Sequence, residues 1–313
     1  MLVVPFDRPG LKEPTWENIV VGEEFGPLDA VISEHAIKSY VYAIDDYQPW
    51  YLHDSPFGGR IAPAAFVTRP LLDLLHLEYD AMRLRALHVR EELELFGPLK
   101  VGQHVTLRAR VDDKFLKRGE PYVILSGQAC DAHGKTLISA KHGLILRRDV
   151  RGLVGRGAAT PDNRHATGVN TTGVPAVERA SRTPEFGAVL PAISKDISLE
   201  QMFVFSSGVP NIHTDRTIAL ASGLAGPIAQ GLMSTGYLSQ MLTDFFGTDW
   251  FDSGWTSHAF IKPVFAGDRL TMHARIQDRR QEGTGTRLML EVWCRNQVGD
   301  LTTVGSASGL VSR

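Results

Sequence analysis

One loop of the sequence combines residue types and spacing suited to proton transfer. The segment FVFSSGVPNIHTD at 203–215 places Ser207, Asn211 and His213 close together. A neutral imidazole near pH 7 can take a proton from water and later return one, so His213 is predicted to be a general acid–base group. Asn211, on the same extended loop, is predicted to orient that water. The alternative is a loop histidine that only pins a neighbouring helix, and its polar neighbours favour the catalytic interpretation.

A second loop, in the first half of the chain, carries different groups. The segment DDYQPWYLHDSPFGGRIAPAA at 45–65 contains Asp46 and Tyr51. Two interpretations stay open for Asp46, a structural carboxylate and the remnant of an old site. Tyr51 follows Trp50 and is predicted to pack across the cleft, because an aromatic side chain of this kind contributes mainly buried area. The cleft in this half is therefore predicted to be filled.

Composition restricts the class of protein. The 313 residues exceed the usual size of one domain and suit two modules, each able to bury a core. Lysine and arginine number 33 against 35 acidic residues, which leaves no charge excess to recruit nucleic acid or an anionic membrane. The N-terminal segment lacks a signal-peptide pattern, and no apolar run approaches the length of a membrane span. We expect a cytoplasmic location and a small-molecule or protein partner.

Metal and redox chemistry are not indicated. The 11 histidines are scattered through strands and loops without the spacing of metal ligands. Cys130 and Cys294 each lie inside an apolar, strand-like run, which favours buried small side chains over a disulfide. We therefore expect neither a metal ion nor a resident cofactor.

The chain contains an internal repeat. GPLKVGQHVTLRARV at 97–111 and KPVFAGDRLTMHARI at 262–276 share Pro, Gly, Thr, Ala and Arg in register, at an offset of 263 − 98 = 165. Each segment has a bend at Pro, a Gly turn and a strand of alternating polarity, and a hairpin follows. The hairpin-turn glycines, Gly134 and Gly299, again differ by 165. The strands of the two halves are therefore predicted to correspond pairwise.

Each half also carries a helical segment ahead of its strands, at 63–82 and at 227–247. The segment at 63–82 contains a dense apolar run, and the one at 227–247 has an apolar stripe along one face. Both patterns are typical of a helix that is covered by other elements. Residues 151–187 are rich in Gly, Ala and Thr and show no sustained periodicity, which predicts a linker. The predicted modules are thus residues 1–150 and 188–313, each with one helix wrapped by an antiparallel sheet.

The second half resembles the MaoC-like hydratase/dehydratase family. The resemblance is carried by the Ser-Gly…Asn…Ile-His-x-Asp loop, an Ile-Ala-x-Gly helix start, and a strand with Pro-Val-x-x-Gly-Asp. The first half resembles the degenerate N-terminal module of tandem members. The resemblance implies an α+β double hotdog, in which two long central helices are each wrapped by a curved antiparallel sheet. The two modules are expected to form a pseudo-dimer with one continuous sheet.

The family loop pairs an aspartate with a histidine to activate a water, and this sequence departs from it. His213 matches the histidine, while Gly208 stands where the aspartate belongs, or one residue is deleted there. In the first half Asp46 matches the aspartate and Tyr51 occupies the histidine position. Neither half holds the complete pair. A dyad combining Asp46 with His213 is not the first choice, because the pseudo-two-fold axis of the family fold separates the two loops.

The resemblance also implies which groups contact substrate. Gly231 matches a family glycine whose amide, at a helix N-terminus, holds the oxygen of the substrate thioester as charge develops. Ser207, Gln230 and Tyr51 are predicted to line the substrate site beside it. In the first half Ala64 occupies the position of Gly231, which leaves less clearance for substrate.

The function that the resemblance implies is reversible hydration of a 2-enoyl thioester to a 3-hydroxyacyl thioester. Coenzyme A or acyl carrier protein is the expected carrier, with no cofactor beyond it. Two alternatives stay open, a hotdog acyl-CoA thioesterase and an acyl-thioester-binding protein whose sites have both decayed. A further homodimer of the double-hotdog chain is also plausible.

Overall fold

The computed structural model of the protein describes residues 10–81, 83–84, 86–146 and 173–312. The predicted module boundary at residue 150 and the first part of the linker at 151–187 lie outside these ranges. Residues 173–187 pack on the second module: the Val177 N–H donates to the Val189 carbonyl at 2.8 Å and the Ala180 N–H to that of Phe245 at 3.0 Å.

Ten antiparallel strands form one continuous sheet, in the order β1-β3-β4-β5-β2-β7-β10-β9-β8-β6. The strands of the first module are β1 (Glu24–Val31), β2 (Ala86–Leu95), β3 (His104–Lys117), β4 (Glu120–Cys130) and β5 (Thr136–Leu146). Those of the second are β6 (Ile193–Asp196), β7 (Trp255–Phe260), β8 (Arg269–Glu282), β9 (Gly285–Asn296) and β10 (Leu301–Val311).

The strand order is symmetrical about the pair β2–β7, which joins the modules. Counted outward from this pair, the strands follow as β5, β4, β3, β1 on one side and β10, β9, β8, β6 on the other. Glu92 of β2 lies directly opposite Ser257 of β7, and these positions differ by 257 − 92 = 165. The pseudo-two-fold axis therefore passes through this residue pair. The predicted pairwise correspondence of strands and the continuous sheet are confirmed.

Seven α-helices pack on the sheet or connect its strands within the described residues. They are α1 (Glu34–Ile44), α2 (Pro49–Leu52), α3 (Thr68–Asp73), α4 (Leu199–Phe205), α5 (Arg216–Ala221), α6 (Gly231–Phe246) and α7 (Thr248–Ser253). The sheet wraps α6, which is buried along almost its whole length and ends at Gly247, a residue with φ 61°. This helix matches the segment predicted at 227–247.

The central helix of the first module differs from its prediction. Instead of one long helix over 63–82, the chain forms only α3 and a 3₁₀ turn at Leu74–Leu77. The chain then leaves the helix axis, because residues 78–80 pair with the N-terminal segment: the Lys12 N–H donates to the Glu78 carbonyl at 2.8 Å. Tyr79 is anchored there, with its hydroxyl 2.7 Å from the Asn18 carbonyl oxygen. The double hotdog thus has one long and one short central helix.

One hydrophobic core runs through both modules. At the junction α1 packs on α4, and the rings of Tyr40 and Phe205 lie 5.9 Å apart. Cys130 and Cys294 are both free thiols; Cys294 is buried, as predicted, whereas Cys130 is only half-buried. Among the residues with assigned structure, no helix has the length and apolar character needed to cross a membrane.

Candidate active site

A cavity of about 540 Å³ lies where the two modules meet around the first turn of α6. The second module contributes the loop from Ser206 to His213, the residues at the start of α6, and Phe260 at the end of β7. The first module contributes Arg69 and Asp73 of α3, together with residues at the start of β2. Much of the wall is apolar, formed among others by Leu72, Leu87, Ile212, Ile228, Leu224 and Val264. A space of this size and lining suits a small molecule with an apolar body.

His213 lines this cavity in one defined orientation. Its Nδ1 lies 2.7 Å from the carbonyl oxygen of Ile228. Because a carbonyl oxygen only accepts, Nδ1 carries the proton that is donated to it, and Nε2 of the neutral ring is left unprotonated. The Ile228 N–H in turn donates to the Ile212 carbonyl at 3.3 Å, which ties the loop to the segment before α6. The arrangement holds a neutral imidazole with a free basic nitrogen.

The surroundings keep this imidazole neutral. Burial lowers the pKa of His213 to about 4, the bond to the Ile228 carbonyl opposes this shift, and the positive charge of Arg69 adds to it. A base with such a pKa is unprotonated at neutral pH and ready to accept a proton.

Asn211 lies on the cavity wall, and its side chain holds the loop. Its Oδ1 accepts the backbone N–H of His213 at 2.8 Å and lies 3.5 Å from the Thr214 hydroxyl. The carbonyl end of the amide is thus occupied, and only the NH₂ group is left to face a water. Ser207, also on the wall, has φ 57°, and Gly208 after it has φ 72°. These two left-handed residues turn the chain from α4 into the loop.

The start of α6 presents the predicted oxyanion-binding group. Gly231 is the first residue of the helix, and the first N–H groups of a helix have no carbonyl partner within it. Gln230 precedes it as N-cap and donates its Nε2–H to the Ser206 hydroxyl at 2.9 Å, which fixes the side chain on the cavity wall. An N–H with positive helix-dipole potential therefore lies in the same cavity as His213.

Gly231 is required by close packing. A Cβ atom at this position would lie 2.6 Å from the nearest ring carbon of Phe260. The glycine therefore lets the Phe260 ring lie directly against the helix start. The sequence suggests the same glycine for a different reason, clearance for substrate, and that role stays a prediction.

Arg69 and Asp73 reach the cavity from the first module and are not among the site residues predicted from the sequence. Arg69 Nε lies 3.1 Å from Asp73 Oδ2, and the guanidinium also donates to the Phe205 carbonyl. The Arg69 and Asp73 side chains are only 12% and 20% exposed. The signal in the sequence is an arginine and an aspartate spaced i, i+4 within an apolar helical run.

The structure does not bring Asp46 and Tyr51 together with His213. Neither lines the cavity; both are 2% exposed and belong to a separate polar cluster at the equivalent loop of the first module. Burial raises the pKa of Asp46 to about 7, and the charge of Asp244 contributes, while the Gln48 N–H, Lys195 and Tyr51 oppose the shift. Tyr51 fills the place that His213 has in the second module: Ile61 N–H donates to the Trp50 carbonyl at 3.1 Å, as Ile228 does to that of Ile212.

One group of described residues has the composition of a metal site. His88, Glu91 and His142 bring ligand atoms within 4.8 Å of one another. However, His88 Nε2 lies 2.8 Å from the Arg90 carbonyl oxygen, so this nitrogen carries a proton and has no lone pair for a metal. Glu91 Oε2 also lies 2.7 Å from His142 Nδ1, a hydrogen-bond distance. The geometry is that of a hydrogen-bonded cluster.

Comparisons with known proteins agree with this architecture. Residues 194–292 match the family described as "MaoC like domain", and residues 19–138 match "FAS1-like, dehydratase domain region". No curated protein matches the sequence.

Several solved structures share the fold. A protein described as "MaoC-like dehydratase" has a TM-score of 0.74 at 16% identity, covering 95% of this chain and 99% of that chain. A conserved hypothetical protein from Mycobacterium tuberculosis, described as a double hotdog, has a TM-score of 0.64 at 15% identity, covering 96% and 98%. Peroxisomal multifunctional enzyme type 2 from Drosophila melanogaster has a TM-score of 0.58 at 18% identity, covering 92% of this chain and 48% of that one.

The site unites a loop histidine, a glycine helix start and a cavity between two hotdog modules, and the two dehydratase-type domain matches fall one in each module. The second module therefore carries a MaoC-like domain and the first a FAS1-like dehydratase region, and the chain as a whole has the double-hotdog fold.

Proposed function

We propose that the protein hydrates a 2-enoyl thioester to the 3-hydroxyacyl thioester, and catalyses the reverse dehydration. The observation that carries the proposal is the orientation of His213, whose Nδ1 is bound to the Ile228 carbonyl so that Nε2 is the free base. Coenzyme A or acyl carrier protein is the proposed carrier of the acyl group.

In the proposed hydration, His213 transfers protons and the Gly231 N–H stabilises negative charge. The unprotonated Nε2 of His213 takes a proton from water, and the water oxygen bonds to the β-carbon of the enoyl group. The electrons of the C=C bond move to the thioester oxygen, and the Gly231 N–H stabilises the negative charge there. The apolar wall holds the acyl chain. Delivery of a proton to the α-carbon then completes the addition of one water.

The proposed reaction adds water without net oxidation or reduction of the substrate, so it needs no redox cofactor. Protons are handled by His213, and charge is stabilised by the start of α6. Asn211 supports the site through its bond to the His213 backbone, and its free NH₂ group is the part of the side chain that can hold the attacking water. A homodimer of the chain stays a prediction.

A thioesterase is the second candidate, because Gly208 stands where the family aspartate belongs. Hydrolysis needs an activated water at the carbonyl carbon, and His213 can supply that as well.

Purified protein incubated with 2-enoyl-CoAs and saturated acyl-CoAs of several chain lengths separates the candidates. Hydration predicts loss of the enoyl absorbance without release of free thiol. Thiol release from saturated acyl-CoA would replace the proposal by hydrolysis, and tight binding with no product across the panel would replace it by a binding protein.

A further inference from the structure

A row of buried polar residues crosses the centre of the sheet. His142 of β5 lies directly opposite Glu91 of β2, and Glu91 lies directly opposite His258 of β7. All three are at most 2% exposed. The row is on the face that α6 covers, because His258 Nε2 lies 2.9 Å from the Thr235 hydroxyl. Burying such groups costs free energy unless they are paired, so their presence calls for a reason.

The fold itself does not require this row. At the equivalent positions on the other side of the pseudo-two-fold axis, offset by 165, Thr256 replaces Glu91, Ala307 replaces His142 and Leu93 replaces His258. The same strands meet in the same register there with no ionisable side chain. The polar row occurs only on the side that carries His213 and the open cavity.

His88 connects the row to the cavity, which it lines. Its Nε2 lies 3.1 Å from Glu91 Oε2, and His142 Nδ1 lies 2.7 Å from the same oxygen. One carboxylate oxygen thus joins the two imidazoles. The His88 ring meets the Phe260 ring edge to face, with centroids 5.1 Å apart.

Phe260 places His88 close to the reacting end of the cavity. The Phe260 ring also lies against Gly231, the residue that carries the proposed oxyanion-binding N–H. His88 is therefore one aromatic ring away from the start of α6, and it enters the cavity from the module opposite to that of His213.

We propose that His88 is a second acid–base group of the substrate cavity, positioned by Glu91, whose carboxylate is in turn fixed by His142. The inference rests on the proposed hydration and adds to it the source of the α-carbon proton. His88 would then perform the proton transfer for which this chain has no loop aspartate, since Gly208 stands at that position.

In this scheme the two histidines handle separate protons. His213 Nε2 takes a proton from water as the oxygen–β-carbon bond forms and the C=C electron pair moves to the thioester oxygen. As the thioester C=O bond reforms, the electron pair at the α-carbon takes a proton from Nδ1 of His88 in its doubly protonated form. The Nδ1–H bond breaks, while the Nε2–H stays bonded to the Arg90 carbonyl beside Glu91. His213 then releases its proton to solvent and His88 takes one up, so the net change is the addition of one water.

Several charged and titratable groups surround His88, and Glu91 on β2 lies nearest, 3.1 Å from its Nε2. Burial raises the pKa of Glu91 to about 7, while its hydrogen bond and charge interaction with His88 oppose this shift. Arg90 and Glu92 flank the pair on β2, His142 and His258 face it from β5 and β7, and Asp73 acts on His142 from α3.

The kinetic test compares His88→Gln, His88→Asn and Glu91→Gln with wild type, using His133→Gln and Glu94→Gln as exposed controls. The His88 variants are expected to lose about 10²-fold in kcat, with KM changed less than about threefold, because general acid catalysis contributes about 10²–10⁴-fold. Glu91→Gln is expected to shift one limb of the pH–rate profile. Folded variants with wild-type kcat and an unchanged profile would overturn the proposal.

A second readout does not depend on turnover. Ring-nitrogen NMR of histidine-labelled protein, with the His88 signal assigned through His88→Gln, follows its titration with and without bound saturated acyl-CoA. The His88 signal is expected to change in Glu91→Gln, which removes the carboxylate 3.1 Å from Nε2, and to shift on ligand binding. A His88 signal unaffected by both contradicts the proposal. If the His88 signal responds but the wild-type protein hydrates no enoyl-CoA, the result contradicts the proposed function and not the placement of His88 in the ligand site.

Discussion

His213 Nδ1 lies 2.7 Å from the carbonyl oxygen of Ile228, three residues before the first residue of α6. The bond links the catalytic loop to the helix start that presents Gly231. It fixes both the tautomer of the imidazole and its distance from the oxyanion-binding N–H, so the proposed base and the proposed charge-stabilising group form one unit.

The positive charge of Arg69 helps to keep His213 unprotonated, after burial as the main cause. Since His213 acts as a base in its neutral form, protonation of His213 is expected to give an acidic limb of kcat/KM at a pKa of about 4. Arg69→Met removes the charge and raises this pKa, so the acidic limb of kcat/KM moves to higher pH. At pH 4.5 a rise of one pKa unit corresponds to about a threefold loss relative to wild type, because the neutral fraction of His213 falls from about three quarters to about one quarter. Exposed Arg83→Met is the control, and an unmoved limb would contradict this assignment.

Asn211 is expected to act through its side-chain oxygen, which accepts the His213 N–H at 2.8 Å. Asn211→Asp keeps this acceptor but lacks the NH₂ group proposed to hold the water, so it should keep wild-type stability and lose kcat. Asn211→Ala should lower both kcat and stability. The expected loss of unfolding free energy in the alanine variant is about 0.5–1.5 kcal/mol, the net value of one hydrogen bond. Steady-state kinetics and urea unfolding test the pair, and equal behaviour of the two variants would show that the oxygen has no such role.

Gly231 and Phe260 are expected to be mutually dependent. Gly231→Ala places a Cβ 2.6 Å from a Phe260 ring carbon and should cost about 1–3 kcal/mol of stability, with loss of activity. The first module shows a compatible combination, since Ala64 and Leu95 occupy the equivalent positions. Phe260→Leu combined with Gly231→Ala should therefore recover part of the lost stability. A double variant with the summed loss of the two single variants would contradict this packing relationship.

Asp46 is expected to make the folded protein more stable at low pH than at high pH, whereas a carboxylate in an ordinary ion pair stabilises the fold more at high pH. Its folded-state pKa is about 7, above the ordinary value of 3.8, so its contribution is complete below pH 4 and is lost as pH rises through 7. Relative to wild type, Asp46→Asn should therefore gain on the order of 2–4 kcal/mol between pH 4 and pH 8. Urea unfolding at both pH values measures this difference, with exposed Asp54→Asn as control. A constant difference would show that Asp46 is ionised throughout.

Local pattern was sufficient to predict the sheet and the second central helix. Alternating polarity and the turn glycines at 134 and 299 specify hairpins without reference to distant residues, and α6 falls within the predicted 227–247. The short first helix was not predictable in this way. Its apolar run at 71–77 satisfies a helical pattern, but backbone pairing between Lys12 and Glu78 diverts the chain, and that contact is long-range.

The candidate site shows the same difference between residues that local sequence identifies and residues that only long-range contacts bring together. His213 and Gly231 lie in one stretch of sequence whose spacing and family resemblance identify both. Arg69, Asp73 and His88 come from the other module, and only the sheet order that joins β2 to β7 brings them to the same cavity. The i, i+4 spacing of Arg69 and Asp73 indicates a helical ion pair, and His88 fits an ordinary strand pattern, so neither feature of the sequence points to this cavity.

The most direct test of the central claim is the hydration rate of His213→Ala on the best 2-enoyl-CoA substrate, beside wild type and the exposed variant His133→Ala. General acid–base catalysis by His213 predicts a fall in kcat of about 10²–10⁴-fold, with the fold preserved by circular dichroism and wild-type kcat in His133→Ala. A folded His213→Ala protein that hydrates the substrate at the wild-type rate would contradict the account.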